Sequence, residues 1–462
     1  MQALLNDRQT ICALATSVGG ALGVIRVSGN DAIDIVDRAF KAPKSKKLHA
    51  LPPQTVQYGH IVDEGEQTQT IDEVLVTCFR APHSYTGENS VEISCHGSAY
   101  ILNEVLKLLV RLGCRQAQPG EFTQRAFLNG KMDLSQAEAV ADLIAATNRA
   151  SAQLALGQLR GHFSGELAAL RDKLLHITSL IELELDFSDQ DVTFADRQEL
   201  QALAEEIRTK IATLATSFET GRAIKAGISV AIVGKTNVGK STLLNRLLKE
   251  ERAIVSDIHG TTRDVIEDTI QINGINFRFI DTAGIRKTSD EIESLGIERT
   301  YQKLTEAAIV LWVIDKAPTL SEIEEMNAHT RGKRLIVVSN KTDAQSFAFP
   351  TFSWTEQPTF VSVSAKFNTN IESLETCIYN AANIPEIHEN DVIVTNVRHY
   401  EALSHALASI QRVLEGIALD LSGDLLAEDL RQCLHFLAEI TGGSITSNEV
   451  LGNIFKHFCI GK

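Results

Sequence analysis

The sequence predicts a multidomain protein of mixed α+β and α/β class, in which an α/β domain is inserted into a helical bundle. The 462 residues are enough for about three domains of ~150 residues each. Short apolar runs alternate with turns up to residue 120, and helical spacing of apolar residues follows over 121–223. Strands alternate with helices over 224–383, and helical spacing returns over 384–462. A helical segment on each side of the α/β part suggests one bundle with an insertion.

The first part of the chain has the pattern of an α+β domain. Its strands are short apolar runs that end at turn residues, and its helices carry apolar side chains three and four residues apart. The predicted strands are 23–29, 74–79 and 91–95, and the predicted helices are 32–40 and 100–112. Strands and helices mixed in this order indicate an α+β domain.

The segments on either side of the α/β part have long helical patterns with few turn residues, which is typical of a bundle. Asp133 is a candidate N-cap for the first long helix. A polar break at 188–191 precedes a predicted helix over 199–218. Helices are predicted again over 400–416, 425–440 and 447–458. Periodicity alone does not establish that the two segments pack together.

Residues 234–241 read G-x-x-x-x-G-K-S, the pattern of a phosphate-binding loop. An apolar run at 229–233 precedes this P-loop and helical spacing over 242–248 follows it, which predicts a strand, a glycine loop and a helix start in that order. This arrangement points backbone N–H groups and a helix dipole at one anion. Lys240 is expected to reach the β- and γ-phosphates of a nucleotide, and Ser241 to hold Mg²⁺.

Residues 340–343 read N-K-x-D after an apolar run, and this motif predicts the base that the loop serves. Guanine presents two neighbouring donors, N1–H and the exocyclic amine, and the Asp343 carboxylate can accept both in a bidentate pair. Adenine lacks that donor pair, so the motif favours GTP over ATP. Residues 364–366 read S-A-K after a predicted strand and fit the loop that supports the base.

Two further motifs lie between the P-loop and the base motif. Residues 281–284 read D-T-A-G, in which Asp281 is placed to act on Mg²⁺ through water and the Gly284 N–H to sense the γ-phosphate. Thr262 is the expected second hydroxyl on Mg²⁺. Five motifs in this order predict a Ras-like GTPase domain. Ile285 stands where Ras has a glutamine that orients water, so hydrolysis is either slow or served by another group.

Composition and charge limit where the protein works and what it binds. The net charge of −15 argues against a protein whose entire surface binds nucleic acid. No signal peptide is evident and the apolar run at 307–314 is too short to cross a membrane, so we expect a cytoplasmic protein with no membrane span. The seven cysteines are scattered without C-x-x-C pairs, as expected of reduced thiols. One lysine cluster is either a local basic patch or a solvated loop, and it comprises Lys41, Lys44, Lys46 and Lys47.

Three stretches outside the GTPase part carry a resemblance to a known family. Residues 84–88 read S-Y-T-G-E, residues 119–131 read P-G-E-F-T-Q-R-A-F-L-N-G-K, and the chain ends in C-I-G-K at 459–462. With these stretches and the GTPase motifs in order, the whole chain resembles the MnmE (TrmE) family of bacterial tRNA-modification GTPases.

The resemblance implies a domain order and a reaction. A folate-binding-like dimerisation domain spans 1–120, and a helical domain split into 121–223 and 384–462 encloses a GTPase domain over 224–383. With MnmG (GidA), a flavoprotein partner that carries FAD, such proteins modify C5 of the wobble uridine of certain tRNAs, which gives aminomethyl or carboxymethylaminomethyl groups. A 5-formyl- or methylene-tetrahydrofolate supplies the one-carbon unit, and the protein acts as a homodimer.

The resemblance also implies a folate pocket that contains Arg26, Glu88, Lys131 and Lys462. A pterin presents an amidine-like donor edge that suits the Glu88 carboxylate, and the anionic glutamate tail of folate suits Arg26 or the lysines. The alternative for each residue is an ordinary solvated surface charge.

For the GTPase domain, the resemblance implies activation by K⁺ and by G-domain dimerisation. Glu293 matches a glutamate that orients water in place of the missing glutamine, and its alternative is a solvated helix charge. Asn237 matches a potassium ligand in the P-loop. The loop that completes the potassium shell matches backbone groups at Ser256, Ile258 and Thr261.

The predicted site residues of the GTPase domain fall into three groups. Catalytic roles are predicted for Glu293, Asn237 and Lys240, and Mg²⁺ ligands are predicted at Ser241 and Thr262. Nucleotide contacts are predicted for Asn237, Val238, Gly239, Lys240, Ser241 and Thr242, for Ser256, Asp257, Ile258, His259, Gly260, Thr261 and Thr262, for Asp281, Thr282, Ala283 and Gly284, and for Asn340, Lys341, Asp343, Ser364, Ala365 and Lys366.

Three features leave alternatives open. Lys235 and Thr236 replace the Arg-Pro that the family usually has in its P-loop, and the glycine-rich stretch at 16–22 is altered too. Cys459 is no prenylation site, because Gly461 is not aliphatic and a final Lys is outside the usual set. Its thiol is either half-buried on a helix end or functional. The GTPase motifs alone also fit a regulatory GTPase switch, such as a ribosome-assembly factor, without modification chemistry.

Overall fold

The computed structural model describes residues 9–43, 47–65, 68–186, 197–250, 268–280, 304–344, 347–385, 391–443, 448–456 and 458–461. The chain divides into two compact units. One consists of Met1–Ala145, Ala155–Ile211 and Glu401–Lys462, and the other of Ala146–Leu154 and Ala212–Tyr400. The polar break predicted at 188–191 lies outside the described residues, and the four-part division predicted from the sequence stays a prediction.

The N-terminal part of the first unit is a mixed sheet with helices. Its strands are β1 (Ile11–Leu14), β2 (Leu22–Ser28), β3 (Phe40–Lys41), β4 (Val56–Glu64), β5 (Thr68–Phe79), β6 (Ser90–His96) and β7 (Arg115–Gln116). Its helices are α1 (Ala32–Ala39) and α2 (Ala99–Arg111). The α+β prediction is confirmed, although β5 is longer than predicted because its first residues are polar and exposed.

The strands lie in the order β3-β4-β5-β6-β2-β1-β7, and neighbours are antiparallel except β1 and β7. Successive side chains of a strand point to opposite faces of the sheet. Ile25 and Val27 of β2 therefore join the core under α1 and α2, whereas Arg26 lies on the other face. That second face carries the N-terminal candidate site.

Helices follow the sheet: α3 (Glu121–Leu128), α4 (Leu134–Ala145), α5 (Arg149–Leu159), α6 (His162–Asp186) and α7 (Arg197–Ala226). The N-cap predicted for α4 is confirmed. The Asp133 carboxylate accepts a hydrogen bond of 2.9 Å from the Gln136 N–H, and the Gln136 side chain accepts one of 3.0 Å from the Asp133 N–H. This reciprocal pair of bonds satisfies two backbone N–H groups at the start of the helix that have no acceptor within it.

The second unit contains an open α/β sheet. Its elements are β8 (Ile228–Val233), α8 (Lys240–Glu250), β9 (Asp268–Ile272), β10 (Ile275–Phe279), β11 (Ile309–Ile314), α9 (Leu320–His329), β12 (Arg334–Ser339), β13 (Thr359–Ser362) and α10 (Ile371–Ala381). The strand order is β13-β12-β11-β8-β10-β9, and only β9 runs antiparallel to its neighbour. Apolar clusters cover both faces. Ligands bind at the carboxyl edge of such sheets, where the loops after β8, β11 and β12 meet.

The chain ends in α11 (Val397–Ala418), α12 (Gly423–Thr441) and α13 (Asn448–Phe455). Helix α12 packs against α6, which precedes the α/β unit in sequence, and Arg431 pairs with Glu182 at 3.1 Å between them. Leu174 and Leu437 are among the buried side chains of these two helices. The helical segments before and after the insertion therefore pack together. Within the described ranges, every helix falls short of the combined length and apolar content that a membrane crossing requires.

Candidate functional site

The P-loop joins β8 to α8 in a conformation that only glycine allows at two positions. Gly234 has φ +148°, and a Cβ there would lie 2.2 Å from the Val313 carbonyl oxygen. Gly239 has φ +96°, and a Cβ there would lie 2.3 Å from Asn340 Nδ2. Between them, Asn237 has φ +63°. Glycine is the residue that tolerates such backbone angles and such close approach, so the motif's glycines are explained by geometry.

Lys240 is held over the P-loop that precedes it. Its Nζ donates hydrogen bonds of 2.6 Å to the carbonyl oxygens of Gly234 and Lys235. Helix α8 begins at Lys240, and Ser241 and Thr242 belong to its first turn. Amide groups of a first turn have no acceptor within the helix and attract anions. Loop, ammonium and helix start therefore form one cradle that is suited to phosphate.

Asn340 ties the P-loop to the base motif. Its Nδ2 donates 2.9 Å to the Val238 carbonyl, and its Oδ1 accepts 3.1 Å from the Ala365 N–H. Its own N–H donates 2.7 Å to the Ile314 carbonyl at the end of β11. The side chain is buried. Asn340 thus fixes three loops at the sheet's edge relative to one another.

Lys341 and Asp343 complete the base motif. Lys341 Nζ lies 2.6 Å from the Asn237 carbonyl and 2.7 Å from Asp315 Oδ2, so it braces the P-loop. The buried Ser364 hydroxyl donates 2.5 Å to Asp343 Oδ1 and fixes the plane of that carboxylate. A carboxylate held in one plane is prepared for a bidentate contact with two neighbouring donors.

Sequence reasoning missed two groups that support these loops. Arg246 of α8 donates to the carbonyls of Ala365 and Lys366 at 3.3 and 3.2 Å, which anchors the base loop to the helix after the P-loop. No local pattern signals this long-range contact. Asp315, the partner of Lys341, directly follows β11, and its place at a strand's carboxyl end was a usable signal.

Lys235, one of the two departures in the P-loop, forms an ion pair with Glu322 of α9. Glu322 also accepts 3.0 Å from the Thr319 N–H in a capping box, so the carboxylate is fixed by its own helix. Burial acts to raise the pKa of Glu322, but the hydrogen bonds from Lys235 and Thr319 outweigh it and lower that pKa. The T-x-x-E pattern at 319–322 was a usable signal for the capping box that fixes Glu322, although not for its ion pair with Lys235.

Several predicted residues of the GTPase domain lie outside the described residues, so their roles stay predictions. They are Ser256, Asp257, Ile258, His259, Gly260, Thr261, Thr262, Asp281, Thr282, Ala283, Gly284 and Glu293. The structure brings the described ones together at the carboxyl edge of the sheet.

A second candidate site lies on the outer face of the N-terminal sheet. Glu88 accepts 2.8 Å from the Ser28 hydroxyl and 3.2 Å from Arg125 Nη1. Arg125 also contacts Glu121 at 3.0 Å, and Glu121 pairs with Arg115 at 2.6 Å. Positive and negative side chains thus alternate in a row of ion pairs that runs from Arg115 through Glu121 and Arg125 to Glu88. Glu121 and Arg125 are buried, and buried charges are tolerated because they are paired and hydrogen-bonded.

The pKa of Glu121 is lowered even though its burial acts to raise it. Hydrogen bonds from Arg115 and from the Gln118 N–H, with the charges of Arg125 and Arg115, outweigh the desolvation. Sequence reasoning missed Glu121 and Arg125 as site residues, although both lie in the 119–131 stretch that carried the resemblance.

The other residues predicted for the folate pocket have protein partners. Arg26 contacts Glu92 at 2.9 Å and lies near the Tyr85 and Phe122 rings. Lys131 Nζ donates 3.0 Å to the Pro82 carbonyl. Lys462 lies outside the described residues. A ligand role for these three residues stays a prediction.

Cys459 differs from the other cysteines in its exposure. The Cys12, Cys78, Cys95, Cys114 and Cys433 side chains are buried, and Cys377 is half-buried. Burial raises the pKa of Cys95 and of Cys433 to about 12, and deprotonation is a condition for nucleophilic reactivity. The prediction of a half-buried Cys459 thiol on a helix end is wrong, because this residue is exposed. A functional role for the thiol stays a prediction.

Two family models match the chain. "GTP-binding protein TrmE N-terminus" matches residues 10–131, and "MnmE helical domain" matches residues 134–459. The tRNA modification GTPase MnmE of Bacteroides thetaiotaomicron is 56% identical over 472 residues, which cover 99% of this chain and 100% of that protein. The MnmE proteins of Bacteroides fragilis and Christiangramia forsetii are 57% and 51% identical, and the matches again cover 99% of this chain and 100% of each relative. The similarity thus extends over both units.

Proposed function

This chain belongs to the MnmE family of tRNA modification GTPases, and from that premise we propose that it is the GTP-hydrolysing subunit of a complex that modifies C5 of the wobble uridine in tRNA. The observation that carries the proposal is the assembled P-loop and base motif, in which Asn340 bonds to both Val238 and Ala365. Such a scaffold suits a guanine nucleotide.

The residues of the GTPase domain divide the work of hydrolysis. The P-loop amides, Lys240 and the start of α8 hold the phosphates, and Asp343 selects guanine. The Ser241 and Thr262 hydroxyls would hold Mg²⁺, which when bound would supply positive charge for the phosphate oxygens. The Asn237 side chain and backbone groups of the loop at Ser256, Ile258 and Thr261 would hold K⁺, which when bound would supply the positive charge that an arginine finger supplies elsewhere. Glu293 orients the attacking water.

The N-terminal site fits a folate ligand in its chemistry. Glu88 offers a carboxylate that Ser28 and Arg125 hold in place, which suits the donor edge of a pterin. The rings of Tyr85 and Phe122 lie on the same face near Arg26. The ligand class is 5-formyl- or methylene-tetrahydrofolate, which supplies the one-carbon unit when bound.

The partners follow from the same premise. The chain acts in the cytoplasm as a homodimer, with the flavoprotein MnmG (GidA) as the source of FAD and reducing equivalents. A net charge of −15 disfavours broad contact with tRNA phosphates. Most of the affinity for tRNA therefore comes from the partner or from a local patch.

Steady-state GTP hydrolysis in KCl and in NaCl at equal ionic strength tests the GTPase part of the proposal. We expect marked stimulation by K⁺ in the wild-type chain. The variant E293A should lose the stimulated rate while it binds nucleotide normally. Equal slow rates in both salts would contradict the cation mechanism.

Binding of 5-formyltetrahydrofolate to the purified full-length chain tests the folate part separately. We expect saturable binding that the variant E88A abolishes, with GTP hydrolysis unchanged in that variant. Absence of binding at high micromolar ligand would contradict the folate proposal. A regulatory GTPase switch without modification chemistry would then explain the GTPase domain better.

A further inference from the structure

The C-terminal segment 458–461 has three anchors, and the first is an apolar cluster of helix side chains. Phe458 is buried with Leu134, Leu451 and Phe455 in one cluster, and its ring centroid lies 5.0 Å from that of Phe455. Burial of an aromatic side chain stabilises the position of its backbone. This anchor fixes Phe458 at the beginning of the segment, and residues 459–461 are held by other contacts.

The second anchor is a backbone hydrogen bond. The Gly120 N–H donates 3.3 Å to the Cys459 carbonyl. Gly120 has φ +68°, and a Cβ there would lie 2.8 Å from the Phe455 carbonyl and 2.9 Å from Phe458 Cβ. The close approach of these two segments of the chain therefore requires glycine at position 120.

The third anchor lies two residues further on, at Gly461. This residue is buried with φ +95°, and a Cβ there would lie 2.2 Å from the Leu14 carbonyl and 3.0 Å from Ala15 Cα. Its own carbonyl lies 3.5 Å from Arg26 Nη1. Gly461 thus lies close to the backbone at the end of β1, and its carbonyl faces a guanidinium.

Arg26 is itself held in one orientation. Its Nε donates 3.0 Å to Glu92 Oε1, and its Nη2 lies 2.9 Å from the same oxygen. The guanidinium carbon lies 5.1 Å from the Tyr85 ring centroid and 5.7 Å from that of Phe122. Its side chain is only 14% exposed. A planar, delocalised group that is paired with Glu92 and close to two aromatic rings has little freedom to turn, and its Nη1 points at the Gly461 carbonyl.

These contacts leave two side chains of the segment outside. Cys459 is exposed and Ile460 is 52% exposed, while the backbone on both sides of them is fixed. We infer that Arg26 is a positioning residue that holds segment 458–461 against the N-terminal sheet and thereby fixes the place of the Cys459 thiol. The inference rests on geometry and does not depend on which ligand binds near Glu88.

A nitroxide spin label on Cys459 of the full-length chain tests this role. The variant C377S serves as the reference, because the remaining cysteines besides Cys459 are then buried. Electron paramagnetic resonance should give a restricted spectrum in the reference. R26A should give a freely moving component, and so should G461A, which breaks the same anchor from the other side.

R26K is the variant that separates positioning from folding. Lysine keeps the charge for Glu92 but lacks the flat fork that reaches Gly461, so the label should move more freely while the circular dichroism spectrum is unchanged. In R26K the Gly120 amide should also exchange about fivefold to tenfold faster, as expected for a weakened hydrogen bond. R111A, at an exposed arginine of the same sheet domain that pairs with Asp63, is the control and should match the reference.

The inference would be overturned by one pattern of results. If G461A frees the label but R26A and R26K leave both the spectrum and the Gly120 exchange unchanged, the glycine fit alone holds the segment. If the double variant R26A/G461A frees the label no more than either single variant, the two residues act on one anchor, as inferred.

Discussion

The Asn340 side-chain amide donates a hydrogen bond of 2.9 Å to the backbone carbonyl of Val238, 102 residues away in sequence. The same side chain accepts a bond from the Ala365 N–H. One buried residue therefore links the P-loop to the loop that supports the base. We therefore expect phosphate binding and guanine recognition to be coupled through Asn340 as well as through the ligand.

Replacement of Asn340 by alanine removes both bonds and leaves two buried backbone groups without this partner. Each such group costs about 1–3 kcal/mol, so we expect N340A to lower the free energy of unfolding by about 2–6 kcal/mol and to weaken GDP binding. Urea unfolding and titration with fluorescent GDP measure the two effects. N327A removes a half-buried amide that contacts Thr355, far from the P-loop in sequence, and is the control. GDP affinity equal to that of the wild type in N340A would contradict the coupling.

Gly239 offers a second test of the P-loop, with a control at the same kind of backbone angle. Gly239 has φ +96° and would place a Cβ 2.3 Å from Asn340 Nδ2, whereas Gly332 has φ +72° and no atom within 4 Å of such a Cβ. Both G239A and G332A incur the left-handed strain of about 1–2 kcal/mol, but only G239A adds a collision. We expect G239A to lose GTP binding and G332A to keep it, as isothermal titration calorimetry would measure. Equal binding by both variants would show that the loop adjusts.

The parts of the site that the sequence predicted are those with short separation along the chain. The P-loop spans 234–241, and its strand and helix are adjacent, so local patterns sufficed. The split bundle was suggested by periodicity, but the packing of α6 on α12 depends on residues far apart in sequence. Periodicity indicates which face of a helix is apolar and not which partner covers it.

The contacts that fix the N-terminal site could not be predicted from the sequence. A resemblance pointed to Glu88 and Arg26, but the residues that fix them are distant in sequence: Arg125 for Glu88, and Glu92 and Gly461 for Arg26. Arg26 and Gly461 are separated by 435 residues. No periodic pattern connects such positions, because their proximity depends on the C-terminal helices folding back onto the sheet.

Asp343 is expected to determine base selectivity. D343N keeps the size of the side chain but replaces one acceptor oxygen by an NH₂ donor, which faces a donor of guanine. Hydrogen bonds to charged groups contribute about 1.5–3 kcal/mol each, so GTP affinity should fall by about tenfold to a hundredfold or more. Xanthosine triphosphate, which has a carbonyl in place of the amine, should bind D343N better than GTP does. S364A removes the bond of 2.5 Å that orients the carboxylate and a longer one of 3.4 Å from the Phe367 N–H, but it keeps the Asp343 charge, so it should have a smaller effect with the same sign.

Arg125 is expected to support both stability and the N-terminal site. R125Q leaves Glu121 with Arg115 and leaves Glu88 with Ser28, so each carboxylate loses one partner. Loss of one partner from a buried charged pair costs about 3–5 kcal/mol. We expect a loss near the lower end, because Arg115 remains, together with weaker binding of 5-formyltetrahydrofolate. R111A removes an exposed pair and should leave both properties unchanged. Normal folate binding in a folded R125Q variant would contradict a positioning role for Arg125.

Glu121 predicts a dependence of stability on pH. Its pKa is lowered in the folded chain, because hydrogen bonds from Arg115 and the Gln118 N–H, with the nearby arginine charges, outweigh the opposing effect of burial. The unfolded chain therefore takes up the proton first, near its ordinary pKa of about 4.3. The stabilisation is complete above that pH and is lost as the pH falls through the lower pKa of the folded state.

We therefore expect urea unfolding to give a free energy that decreases on acidification below about pH 4.3, with a shallower slope in E121Q than in the wild type. E121Q should also be less stable near neutral pH, since the paired charges of Arg115 and Arg125 lose their carboxylate. E104Q changes a partly exposed glutamate that pairs with the exposed Lys107, and it controls for a change in surface charge. If E121Q and the wild type have the same slope, then protonation of other carboxylates governs the acid lability of this unit.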